Sequence, residues 1–354
     1  MEEIFKALGA DDEVLLYIKA YIIPLLLGIP LLTTSLVCGG VLRATGNVKK
    51  PELLMGIAGI INLIFDYLLI FGKWGFPELG IKGAAYATVL SWIFVISGML
   101  ILLIQDRLLI FSLKAGTSTK HIALEIFKLG SPAVLTQVIG PLTLMFLTFL
   151  LAKQSYTAVA AFGVAARIET LLMIGILGIS SAIVPFIAQN SGAQQQERID
   201  QAIVFGGRAS TYLGLFLAVL LFVFVTPIAG IFSDNQEVID FTATYFCIVS
   251  LSYIFYGLFL ITTSIFSGLQ IPINSLKISI IKFLILTFPL TLIGSIWGVA
   301  GIFVGLALSN VLAGVYAANQ IQKELTRIES PLAQVSIFQA HKNDLLRIFG
   351  KGQL

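Results

Sequence analysis

An all-α, polytopic membrane protein built from two helical bundles is the fold that three observations predict. The composition is 57% hydrophobic and only 12% charged, with a mean hydropathy of +0.96, more than a soluble domain of this size tolerates on its surface. Nine apolar runs of about 20 residues, each long enough to cross roughly 30 Å of hydrocarbon, are separated by Gly, Pro and charged clusters. A three-span unit also occurs twice, over residues 13–94 and again over residues 237–312.

In chain order the expected spans are 16–42, 52–71, 82–104, 130–152, 158–188, 206–232, 240–267, 276–296 and 298–319. The repeat aligns them. At an offset of 224, Glu13-Val14 falls on Glu237-Val238, Tyr21 on Tyr245, Leu27 on Leu251 and Leu36 on Leu260. At 218, after a six-residue gap, Gly80, Gly83, Leu90 and Ser91 fall on Gly298, Gly301, Leu308 and Ser309. Three spans precede the second copy and none precedes the first. The expected organisation is therefore an incomplete N-lobe of three spans (1–104), a cytoplasmic linker (105–129), a six-span C-lobe (130–320) and a cytoplasmic tail (321–354). About a hundred residues, three spans, are expected to be missing ahead of residue 1, where neither a signal peptide nor an ordinary first span is found. Membrane proteins with duplicated halves are mostly transporters whose halves rock around a central site.

Basic residues orient the chain. Fifteen of the 22 Lys and Arg residues fall in segments on one side, including Arg43, Lys49, Lys50, Arg107, Lys114 and Arg327, whereas Lys6, Lys73, Lys82 and Lys153 fall on the other. The positive-inside rule then predicts a cytoplasmic C-terminus. The net charge of +3 reflects this topology and gives no basic face for nucleic acid.

Of 19 acidic residues, only Asp66 and Glu169 lie well inside apolar spans, where an ionised carboxylate costs about 2.5–3.5 kcal/mol. Asn62 and Asp66 are one helical turn apart on one face, and together offer the oxygens that a proton or Na⁺ site needs. Thr88 adds a hydroxyl from the next span. The second copy carries Leu286 and Leu290 at those positions, so the unit's packing does not require the polar pair. Glu169 stands two residues from Arg167, so the two point apart. A structural ion pair within the C-lobe and a cation or substrate contact with Gln137 are both open for this region. Lys282 is expected to snorkel to the cytoplasmic edge. Among many intraspan prolines, Pro24 and Pro30 are the candidate hinges, because the second copy has Ile248 and Ile254 there.

The run Leu42-Arg43-Ala44-Thr45-Gly46-Asn47 with Pro51, then Asn62 through Asp66, Ile70-Phe71-Gly72, Leu79 through Ala85 and Ala87-Thr88, and finally Arg167-Ile168-Glu169 and Gln189 through Ala193, resembles in order and spacing the multidrug and toxic compound extrusion (MATE) transporters. The resemblance covers nearly the whole chain and starts just before that family's fourth span. It implies two MATE-like lobes with an N-lobe cation site at Asp66, Asn62 and Thr88, completed by an Asp from a first span that this sequence does not contain.

Enzyme chemistry is not expected. There is no phosphate-cradling loop for ATP, His121 and His341 lack a zinc signature, and Cys38 and Cys247 read as buried packing thiols. No cofactor or resident metal is expected, only H⁺ or transient Na⁺ as coupling ion. The expected function is a secondary exporter in a prokaryotic plasma membrane that exchanges H⁺ or Na⁺ for amphipathic, often cationic small molecules. It would act as a monomer unless a second chain supplies the missing spans. Two alternatives are an exporter of lipid-linked oligosaccharides, disfavoured because Arg167 is nearly the only intramembrane cation, and a transport-incompetent remnant or partner subunit.

Overall fold

The computed structural model describes residues 11–109 and 119–327; Lys114, His341, much of the expected linker and most of the expected tail lie outside them. The described residues form helices joined by short turns. Among the described residues eight stretches are long and apolar enough to cross a membrane, and the last, of 56 residues, joins the two final expected spans. The chain separates into two compact units, residues 1–117 and 118–354.

The first unit contains α1 (Asp12–Ala44), α2 (Lys49–Phe71) and α3 (Ile81–Gln105). The side chain of Asp11 caps α1 by accepting from the Val14 amide at 2.8 Å, satisfying one of the donors a helix start leaves free. Along α3 the residues Gly83, Ala87, Ser91, Val95, Met99 and Leu103 are buried. They recur every four positions, a single ridge that packs against both α1 and α2. Small residues at one end of the ridge let backbones approach closely. A Cβ on Gly83 would lie 2.5 Å from the Leu69 carbonyl oxygen. Outward positions such as Leu27 and Leu63 are apolar and exposed, as lipid requires.

The second unit begins with α4 (Thr119–Ala152), which runs through Pro132 and Pro141. It continues with α5 (Tyr156–Leu172) and α6 (Ile174–Gly192), two pieces of one expected span parted at Met173, and with α7 (Gln196–Phe232). Next come α8 (Gln236–Val249), a 3₁₀ turn at Ser250–Ser252, and α9 (Tyr253–Gly268). The last described elements are α10 (Pro272–Ile280), a π turn over Ile281–Thr287, α11 (Phe288–Gly294), a 3₁₀ turn at Ser295–Trp297, and α12 (Gly298–Arg327). Gly298, at φ 74° and ψ −158°, takes the backbone through a conformation only glycine adopts freely.

Helix α9 is the hub, packed against α6, α7 and α12. A Cβ on Gly214 would lie 2.7 Å from the Ile254 amide nitrogen, and Gly314 faces the Phe255 backbone as closely. The fully buried Tyr245, Phe246, Tyr253 and Phe303 fill the space between.

The repeat is visible in element lengths. Asp12–Ala44 and the stretch 236–268 both span 33 residues, and Lys49–Phe71 and 272–294 both span 23. The copies differ where the hinges are expected. Helix α1, which holds Pro24 and Pro30, is unbroken; the copy without those prolines breaks at Ser250–Ser252. Just after Pro30, Thr34 Oγ1 donates to the Pro30 carbonyl at 2.7 Å and Thr33 Oγ1 donates to the Ile29 carbonyl at 3.0 Å, so both hydroxyls find partners within the helix. Gly83 abuts Leu69 in the first copy and Gly301 abuts Gly294 in the second. In the second copy Leu286 and Leu290 are each followed by a buried threonine, Thr287 and Thr291.

Candidate functional site

Among the described residues, one polar cluster in each unit brings expected site residues together. In the first, α2 supplies Asn62 and Asp66 and α3 supplies Thr88. Thr88 Oγ1 donates to the Ala84 carbonyl at 3.0 Å, which leaves its oxygen to accept from Asn62 Nδ2 at 3.4 Å. With its amide nitrogen so engaged, Asn62 keeps its Oδ1 as an acceptor. One turn on, Asp66 Oδ1 is buried and has no hydrogen-bond partner among the described residues. A buried carboxylate oxygen without a donor is costly. The cluster is therefore rich in oxygen acceptors and short of positive charge, which suits a proton or Na⁺.

The second cluster lies in the second unit around a cavity of about 570 Å³ whose walls include Gln137, Glu169, Tyr245, Tyr256, Lys282 and Asn310. Tyr245 OH donates to Glu169 Oε2 at 2.8 Å. The Lys282 ammonium stands over the rings of Tyr256 and Phe259, 5.0 and 5.4 Å from their centroids, and within electrostatic range of Glu169. Tyr256 and Phe259 are themselves stacked, 6.1 Å apart and 11° from parallel. Asn310 Nδ2 donates to Ser252 Oγ at 3.0 Å across the 3₁₀ break, while Asn310 Oδ1 and Tyr253 OH are buried without a partner among the described residues.

Several expectations change here. Glu169 and Gln137 do meet at one cavity, but Arg167 is exposed on the other side of α5 and does not line it; two positions on a helix are about 200° apart. Lys282 does not snorkel; its charge rests on two aromatic faces in the cavity wall. Of these two cations, Lys282 lines the cavity and Arg167 does not. Cys38 is buried, but Cys247 is exposed, because α8 turns Tyr245, Phe246 and Val249 to the core and leaves position 247 on the opposite face. The sequence reading missed Tyr245, Tyr256 and Asn310 as site residues. Tyr245 had been legible only as a repeat marker, and the other two carry no charge to draw attention in a span rich in aromatics.

The MatE family model matches residues 1–68 and 132–293, one segment in each unit. A FAD transporter from Shewanella oneidensis is 34% identical over 332 residues, covering 91% of this chain and 72% of its own length. A probable multidrug resistance protein, NorM of Thermotoga maritima, is 31% identical over 229 residues, which cover 63% of this chain and 48% of that protein. Among solved structures, a mutant form of the Vibrio cholerae MATE transporter VcmN superposes with a TM-score of 0.87 at 27% identity, over 92% of this chain and 74% of the other. Family match, relatives and fold agree: this chain belongs to the MATE family of multi-pass membrane transporters, which are not enzymes.

Proposed function

We propose that the protein is a secondary antiporter that exports an amphipathic small organic molecule in exchange for H⁺ or Na⁺ bound at Asp66. The observation that carries this reading is the buried Asp66 Oδ1 with no donor among the described residues, one turn from the Asn62–Thr88 pair. A carboxylate so placed in an apolar unit has a large electrostatic incentive to take up a small cation. Cation uptake changes the charge of α2 against α3, and the packing of two tightly apposed helices is what such a change would shift. No cofactor is required; the ion gradient supplies about 2.3 kcal/mol per elementary charge for each 100 mV.

The distribution of basic residues supports a cytoplasmic C-terminus, and the cargo leaves in the opposite direction to the entering ion. Organic cations are included among the cargoes, in keeping with the multidrug relatives. A flavin-type anionic cargo is the second reading, favoured by the 34% identity to a FAD transporter over nearly the whole chain.

The test is ion-driven transport in everted vesicles, comparing a pH jump with a Na⁺ jump. Asp66→Asn is expected to abolish ethidium efflux at unchanged protein level; unimpaired efflux in that variant removes Asp66 from the mechanism.

A further inference from the structure

The cavity of the second unit holds a cation that no coupling ion explains. Lys282 has no hydrogen bond and no ion pair within 4.0 Å among the described residues; its contacts are the two aromatic faces and the more distant charge of Glu169. Glu169, in turn, is held by Tyr245 at 2.8 Å. Ammonium and carboxylate share one cavity, yet each is fixed by an aromatic partner, and they do not close into a direct pair. The three donors of Lys282 are left for something else.

The backbone adds to this. Pro289 cannot donate to the carbonyl four residues earlier, and the helix upstream opens into the π turn Ile281–Thr287, with the Phe288 amide bonded five residues back to Phe283. Lys282 is the second residue of that turn. The corresponding region of the first copy, near Ala58, is apolar and buried, so packing of the repeated unit does not call for a charge there.

We propose that this cavity is a binding site for a planar aromatic molecule bearing an anionic group. Lys282 contacts the phosphate, carboxylate or sulfonate, and the Tyr256–Phe259 stack supports the ring. The volume of about 570 Å³ lies within the usual range for small-molecule sites. Glu169 acts as the internal counter-charge that an arriving anion displaces electrostatically, which keeps the empty cavity close to neutral. The proposal rests on the exporter reading for its purpose, but it concerns equilibrium binding and can fail separately.

The test uses the purified full chain in lipid nanodiscs, with FMN, riboflavin and inorganic phosphate as probes and flavin fluorescence as readout, in the absence of an ion gradient. FMN is expected to bind. Lys282→Gln should weaken FMN about tenfold or more, the loss typical of a charged hydrogen bond, while riboflavin changes by less than about twofold on the same scale. Lys282→Arg should retain FMN binding, which guards against misfolding of the Gln variant. Glu169→Gln should tighten FMN, because the competing carboxylate is gone, an effect that a merely structural role would not produce. Equal FMN affinity in wild type and Lys282→Gln overturns the proposal, as does absence of FMN binding. Inorganic phosphate competing as well as FMN does overturns the role of the aromatic stack. Failure of the coupling reading appears elsewhere, as ion-driven efflux that survives Asp66→Asn.

Discussion

Tyr245 reaches across from α8 to donate a 2.8 Å hydrogen bond to Glu169 on α5, 76 positions earlier in the chain. The ring of Tyr245 is meanwhile locked edge-on against Phe162, Phe246 and Phe303. Its hydroxyl is therefore a fixed donor, and the carboxyl group it holds cannot swing toward Lys282 without breaking that bond.

Tyr245→Phe removes the donor and keeps the ring. The expected cost is about 1–3 kcal/mol of stability, read as an earlier thermal transition of the purified protein. A double-mutant cycle with Glu169→Gln should return a coupling energy of about 0.5–3 kcal/mol, the range for residues in direct contact. Strict additivity would mean that the hydrogen bond contributes nothing.

The close apposition of α2 and α3 predicts a contrast between two glycines. A Cβ at Gly83 would meet the backbone of Leu69, whereas one at Gly56 meets nothing within 4 Å. Gly83→Ala should destabilise the protein by about 1–3 kcal/mol through overpacking. Gly56→Ala should be neutral or stabilising by up to about 1 kcal/mol. Equal thermal shifts for the two would contradict the packing described for this unit.

Asn62 is expected to tune ion affinity without providing the charge. Asn62→Leu preserves Asp66 but removes an acceptor oxygen and the partner of Thr88. Transport should survive and require a proton or Na⁺ concentration about tenfold higher, equivalent to about 1.4 kcal/mol. The check is half-saturation in vesicles; an unchanged value leaves Asn62 outside the site.

Pro24 and Pro30 lie inside one continuous helix, so a hinge at either would have to flex during the cycle, since no standing break is present. Pro24→Ala with Pro30→Ala restores two backbone donors and should leave folding intact or improved. The efflux rate should fall about tenfold with unchanged ion dependence, as expected when a conformational step limits turnover. Full-rate efflux in the double variant ends the hinge assignment.

Fold class and the repeat were legible because they depend on long apolar runs and on matched spacing, which survive in sequence as counts. Asn62, Asp66 and Thr88 were legible for a related reason: polar groups one turn apart are conspicuous in an apolar span. The C-unit cavity was only half legible. Gln137 and Glu169 announce themselves by polarity, but the direction in which Lys282 points depends on a π turn, and no periodicity of 3.6 records a helix that has locally left that periodicity. Arg167 was misplaced for lack of any signal saying which arc of α5 faces inward.

That widened turn also has an evolutionary reading. One residue turns a helical position by about 100°, so loss of a single codon between Ile281 and Thr287 would re-aim Lys282 relative to the Tyr256–Phe259 pair. On the proposed anion site, one genetic step would then be enough to alter what the cavity accepts.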